Sequence, residues 1–227
     1  MSYSSIYLKA QNAFETWRLL PAGQRIQAIT ELQYKVPDNL KSAYQYQASY
    51  SKSLVENELS LISPTGETNE LYVQGRGTAI LLVDSVVEAQ PAAIAFLVAI
   101  LMAGNSVIVC TDDKDLIRFA DEFSASERFP KGLIQVCSAD SYLPLINEDI
   151  RSFALIGNSE NAIVVNQALA AKPNAITSLV AETDFANYPT AQDPKLVLRF
   201  ITERVRTTNI TAIGGNAMLL ELGSDSH

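Results

Sequence analysis

The sequence predicts an α/β protein: a five-stranded parallel sheet, doubly wound, with helices on both faces, N-terminal helices before it and a C-terminal β tail or flap after it. Three observations carry this. Thr78 to Cys110 reads TAILLVD, then an uncharged helical run from about Ala89 to Met102, then AGNSVIVC. Two short runs of Val, Ile and Leu around a longer apolar run mark a βαβ unit whose strands are buried on both faces. Helical and strand segments then go on alternating, to five strands and four helices, as a doubly wound sheet requires. No period of roughly 20–50 residues is present, which excludes a repeat array.

From the N-terminus, Ala10 to Leu20 is a short amphipathic helix with Phe14 and Trp17 at i, i+3. Pro21 suits the first turn of a second helix, on which Ile26, Ile29 and Leu32 share a face. Asn39 can cap a third helix running to about Glu58, where Tyr46, Tyr50 and Leu54 form a stripe that reads as core packing. Ser63-Pro64-Thr65-Gly66 is turn chemistry, Glu70 to Gln74 alternates like a half-exposed strand, and Gly75-Arg76-Gly77 is a turn or bulge before the sheet begins. Within the βαβ unit, Ala103-Gly104-Asn105 stops the helix, because Gly takes the left-handed C-terminal position most cheaply.

Helix over Lys114–Ser126, strand over Leu133–Cys137, a short helix over Ser141–Glu148, strand over Ser152–Ile156, helix over Glu160–Ala171 with Ile163, Val164 and Gln167 in register, and strand over Ile176–Ala181 complete the sheet. Asp193-Pro194 starts a last helix, with Leu196 and Phe200 in one apolar row and Val197, Ile201 and Val205 in the next. Thr207 to Leu222 is β-rich, and such a trailing strand needs a partner: the early strand near Leu71, or another chain by edge addition. The chain thus divides into residues 1–75 (N-terminal helices and a strand), 76–186 (the doubly wound sheet) and 187–227 (a helix and an oligomerisation-type tail), all one structural unit.

The formal net charge of −8 argues against a nucleic-acid partner, whose phosphates must be met by Lys and Arg. Cys110 and Cys137 both end apolar runs and read as buried thiols rather than a disulfide, which fits a reducing, cytoplasmic compartment. Met1 to Lys9 lacks the apolar core of a secretory leader. The longest uncharged run, Ala89 to Ser106, contains Gln90, Pro91, Gly104 and Asn105 and reads as a buried helix, not a membrane span.

Chemistry is sparse. The GxGxxG that cradles a dinucleotide pyrophosphate is absent after the first sheet strand, where Asp84-Ser85 stands instead, and an aspartate there repels phosphate. Gly157-Asn158-Ser159-Glu160 is the best remaining cofactor-binding candidate, although a helix cap by Asn158 or Ser159 explains it equally well. His227 is the only histidine and the last residue, so a Ser-His-Asp triad is not expected, and no cluster has metal-ligand spacing. Glu182 ends the fifth strand, where doubly wound sheets place ligand sites.

Several segments resemble a known family. Ser63-Pro64-Thr65-Gly66-Glu67-Thr68-Asn69-Glu70-Leu71 followed by Gly75-Arg76-Gly77 resembles the PTGE-x-NEL lead into the first Rossmann strand of aldehyde dehydrogenases of the Δ1-pyrroline-5-carboxylate type, as in bifunctional proline utilization A. Ala103-Gly104-Asn105-Ser106-Val107 is similar to the family's AGNTV, and Phe129-Pro130-Lys131-Gly132-Leu133-Ile134-Gln135 to its IPKGVLQ. Leu155-Ile156-Gly157-Asn158-Ser159-Glu160 is similar to FTGSTE, and Ala181-Glu182-Thr183 to AETGG. The tail from Thr208, Asn209, Ile210 and Thr211 through Ala212, Ile213, Gly214, Gly215, Asn216 and Ala217 is similar to the end of long proline utilization A chains, whose extra C-terminal domain has an aldehyde-dehydrogenase-like fold. The resemblance runs from about Phe14 to Gly223.

The resemblance implies a Rossmann-like fold, and the departures from it shape the expected function. The family's Trp-Asn, whose Asn supports an oxyanion, falls on Asp84-Ser85. Its ribose-binding lysine falls on Cys110, and its Gly-Gly after the glutamate on Asp184-Phe185. The chain passes from Glu182 straight to the tail, without the domain that carries the family's nucleophilic cysteine. Only Glu182 matches a catalytic-type residue, and a base without a nucleophile forms no acyl-enzyme.

The expectation is therefore a non-catalytic domain of proline catabolism. It would dock on the pyrroline-5-carboxylate dehydrogenase module of a proline utilization A core, or on another aldehyde-dehydrogenase-like chain, and cover the channelling passage with the tail residues Thr208–Thr211 and Ile213–Asn216. No cofactor is expected, and the residues 157–160 are vestigial. The alternatives are an NAD-dependent pyrroline-5-carboxylate dehydrogenase or a fragment of one, with NAD as cofactor, and a self-assembling homo-oligomeric module.

Overall fold

The computed structural model describes residues 2–173 and 175–210. By backbone contacts the described residues fall into two compact units, residues 2–56 with 74–202, and residues 57–73 with 203–210.

The larger unit is built around β3 (Thr78–Val83) and β4 (Ser106–Cys110), in which every residue is buried. Between them α4 (Gln90–Met102) is buried almost all round, from Ala92 to Met102 without interruption, so its sequence carries no polar stripe. It lies between the sheet and a layer formed by α2 (Ala22–Thr30) and α3 (Lys41–Val55). Gly104 has φ +93°, the left-handed position that ends α4. A Cβ on Gly75 would stand 2.5 Å from the carbonyl of Gly104, so only glycine admits this backbone approach.

Alternation continues through α5 (Lys114–Ser124), β5 (Ile134–Cys137), α6 (Tyr142–Leu145), β6 (Ser152–Ile156), α7 (Ser159–Ala170) and β7 (Ser178–Glu182). The sheet order is β5-β4-β3-β6-β7, all parallel. The expected five-stranded, Rossmann-like sheet is thus present, with its topological switch between β3 and β6. Ile80, Leu82, Ile108, Phe153 and Leu155 pack one face against α1 (Tyr3–Trp17), α6 and α7. Asn105 ties the sheet to the chain that follows it: Gly77 N donates to Asn105 Oδ1 at 3.0 Å, and Asn105 Nδ2 donates to the carbonyls of Ile100 and Phe200 at 3.2 and 3.0 Å.

Several local expectations need correction. The first helix starts at Tyr3, because Ser2 Oγ accepts from Ser5 N and caps it. Asn39 caps nothing; it lies in a 3-10 turn, Asp38–Leu40, and α3 begins at Lys41 without a side-chain cap. The tyrosine stripe of α3 is not core, since Tyr46 and Tyr50 are 38% and 44% exposed while Tyr44 is the buried one. On α7 the inward residues are Val165 and Leu169, and Ile163 and Val164 face outward. The helix expected from Asp193 is a 3-10 turn, Leu196–Arg199, followed by β8 (Ile201–Asn209). Phe200 is fully buried against Phe96 and fixes the end of that turn. Ile201, Thr202, Val205, Thr207 and Thr208 are β-branched residues that favour extended backbone.

Tyr44 sits within the larger unit's core, edge-on to Phe123, and its hydroxyl donates to the carbonyl of Ile29. Burial pushes its phenol well above the ordinary value. The folded state therefore holds Tyr44 neutral where the unfolded chain begins to ionise it. Its contribution to stability is full below about pH 10 and is lost as pH rises beyond that. Denaturant midpoints of wild type and Tyr44→Phe should run parallel below about pH 9 and converge or cross above about pH 10. A constant offset through that range would remove Tyr44 as the cause.

In the smaller unit β1 (Leu59–Leu61), unforeseen in the sequence, pairs antiparallel with β2 (Glu67–Gly75), Leu59 opposite Leu71. The order is β1-β2-β8, so β8 has the early strand as its neighbour; the strand expected over Thr207–Leu222 lies outside the described residues beyond Ile210. Arg206 joins this sheet across its face. Its Nε and Nη2 donate to Glu70 Oε2 at 2.8 and 2.6 Å, and Nη2 also donates to Glu58 Oε2 at 2.9 Å. Thr207 Oγ1 donates to Asn69 Oδ1 at 2.5 Å, and Ile210 N to Gly66 O at 2.8 Å.

Candidate functional site

The carboxyl ends of the parallel strands are where this topology places a ligand crevice. At the switch point, β3 delivers Asp84 and β6 delivers Gly157. Asp84 N donates to Ile156 O at 2.9 Å. A Cβ on Gly157 would lie 2.5 Å from Asp84 Oδ2, so the carboxylate rests directly on that glycine. The N-terminus of α7 beside it is already capped, with Asn158 Oδ1 accepting from Asn161 N at 2.7 Å. Glu160 adds a second negative charge in the first turn. Residues 157–160 therefore make a capped helix start facing a carboxylate, an arrangement that disfavours an anion.

Glu182, at the end of β7, is 1% exposed. Its Oε1 accepts from Asp184 N at 3.0 Å, and its Oε2 from Thr190 N and Ala191 N at 2.8 and 3.0 Å. Thr190 Oγ1 returns to Ala181 O at 2.9 Å. The one sequence-matched catalytic candidate is thus spent on folding residues 183–191 back over its own strand. Asp184 continues the turn by accepting from Ala186 N, Asn187 N and Asn187 Nδ2. These donors, the Asn187 side chain first, hold its carboxyl below the usual carboxylate value.

The folded-back loop borders an open, largely apolar pocket of about 300 Å³, lined by Tyr46 of α3, by Pro91, Ala92 and Ala95 of α4, and by Tyr188 and Gln192. Tyr46 Oη donates to Gln192 O at 2.9 Å, and Tyr188 Oη to Glu88 O at 2.7 Å. Tyr188 holds φ at 47°, an uncommon backbone position for a bulky side chain. Sequence reasoning missed this pocket; the signal was the run of small residues at the start of α4, which leaves the space unfilled. The two thiols lie toward the other end of the strand row, on β4 and β5.

Among the described residues no group of three or more His, Cys, Asp or Glu side chains could hold a metal ion, and no helix is long and apolar enough to cross a membrane. Of the tail candidates, Thr208 and Asn209 close β8 and Ile210 follows it; Thr211, Ile213, Gly214, Gly215 and Asn216 lie outside the described residues.

In fold the chain is similar to solved structures of the aldehyde dehydrogenase superfamily. A structure of bifunctional proline utilization A is similar over 80% of this chain and 21% of its own, at 26% identity and TM-score 0.67. A variant of Bradyrhizobium japonicum proline utilization A is similar over 80% and 22%, at 27% identity and TM-score 0.64. A putative aldehyde dehydrogenase from Burkholderia cenocepacia shares the fold over 80% and 42%, at 14% identity and TM-score 0.64. The chain spans about a fifth of the length of the proline utilization A structures. No protein-family model and no curated protein sequence matches it.

Proposed function

We propose that this chain is a non-catalytic, aldehyde-dehydrogenase-like domain of proline catabolism. It docks on the pyrroline-5-carboxylate dehydrogenase module of a proline utilization A core and helps cover the passage between that enzyme's active sites. Covering such a passage keeps a reactive intermediate from water. One observation carries the reading: between β7 and β8 the chain has only residues 183–200, folded back by Glu182, where the family resemblance implies a whole domain bearing the nucleophilic cysteine. The carboxylate of Asp84 on Gly157 points the same way, toward a crevice without a nicotinamide dinucleotide. The reading implies a cytoplasmic setting and a protein partner instead of a small substrate.

The test is coupled turnover. A proline utilization A core lacking its terminal domain receives proline and NAD, and NADH is followed with and without this chain. The expected result is a shortened lag or raised flux with the chain present, and no NADH from the chain alone. NADH from the chain alone would replace this reading with a dehydrogenase. No change in flux, with separate elution on a sizing column, would remove docking and leave self-assembly.

A further inference from the structure

Parallel pairing sets Cys110 of β4 directly opposite Cys137 of β5. Paired residues on neighbouring strands stand about 4.8 Å apart, within the roughly 4.4–6.8 Å that a disulfide spans between Cα atoms. The side chains also converge, with the two Sγ atoms 3.4 Å apart and both thiols free.

The two sulfurs are placed unequally. Cys110 belongs to the buried core with Tyr7, Ala10 and Leu145. Cys137 is partly exposed at the strand end. The hydrogen bond with Cys110 lowers the Cys137 thiol; burial opposes this, and a weaker hydrogen bond with Ser141 supports it. The same contact and burial raise Cys110. Ser141 is itself held by Ser138, Oγ to Oγ 2.9 Å. Cys137 thus stands partly exposed at the strand end, and Cys110 is sheltered and in contact with it. A reactive thiol beside a resolving thiol has this layout.

We propose that Cys110 and Cys137 form a redox-active dithiol, oxidised by hydroperoxides to a cross-strand disulfide between β4 and β5. The Cys137 thiolate attacks one oxygen of hydrogen peroxide, the O–O bond breaks, and the departing hydroxide takes one proton from solvent and leaves as water. Cys137 then carries a sulfenic acid. Cys110 gives up its proton and its sulfur attacks Cys137 Sγ; the S–S bond forms, the S–O bond breaks, and a second water leaves. Two thiols lose two electrons, and one hydrogen peroxide becomes two waters. A dithiol reductant reverses the change by exchange.

The experiment uses the full chain, reduced, then treated with equimolar hydrogen peroxide, alkylated and weighed intact. The expected result is a mass about 2 Da lower with no alkyl groups added, reversed by dithiothreitol. Peptide mapping without reductant should give one linked pair, containing Cys110 and Cys137. Cys110→Ser should trap a sulfenic acid at Cys137 that dimedone labels, whereas wild type labels at least tenfold less. Sulfinic acid at Cys137 with Cys110 still alkylatable, dimer-only linkage, or two unreacted thiols would each overturn the proposal. The wild-type measurement decides it even where a variant fails to fold.

Discussion

Glu182→Gln should lower the stability of this chain by about 2–4 kcal/mol, a large loss for a change of one atom. The carboxylate takes three backbone N–H groups, from Asp184, Thr190 and Ala191, on its two oxygens. An amide has one oxygen, so at least one of those donors must face an NH2 group. Hydrogen bonds to a charged acceptor are worth about 1.5–3 kcal/mol each, and a buried donor left without a partner costs about 1–3 kcal/mol. The measurement is a urea midpoint with limited proteolysis beside it, because the 183–191 loop should become the first cleaved segment. A Gln variant as stable as wild type would show that the charge of Glu182 is not what holds the 183–191 loop.

The second large effect belongs to Trp17. It is fully buried, its Nε1 donates to Leu101 O at 3.3 Å, and it meets the Phe129 ring edge-on at 5.4 Å. Through it the end of α1 is held against the end of α4 and the segment leading into β5. Trp17→Ala leaves a cavity there and should cost about 3–5 kcal/mol. Trp17→Phe keeps the aromatic contact and gives up the hydrogen bond, so its loss is smaller. Equal losses in the two variants, read as thermal midpoints, would show that packing against Phe129 contributes little.

The candidate site was legible only in outline. Asp84 in place of a glycine-rich turn was visible as a charge where a phosphate would lie, and the structure sets that carboxylate on Gly157. The capping role of Asn158 was equally readable, because a cap is a contact between residues three apart. Glu182's three donors were not readable, since two of them come from residues 190 and 191, brought back by a turn that no periodicity announces. Tyr46 illustrates the limit of helical patterning. Spacing grouped it with Tyr50 but could not say which face of α3 meets α4; the buried face carries Tyr44, Gln47, Ala48 and Ser51 instead.

The amino-acid sequence by itself determined the five-stranded core. Strands buried on both faces must be apolar throughout, and the crossover helix between two layers must lack a polar stripe; both demands are written in consecutive residues. Tertiary structure alone decided the tail and the thiols. Residues 201–209 carry apolar periodicity that a helix and a strand share, and strand won because Phe200 is buried and β2 stands beside β8 as its neighbour. Cys110 and Cys137 became a pair because β4 and β5 align in one register, a relation between segments that neither segment encodes alone.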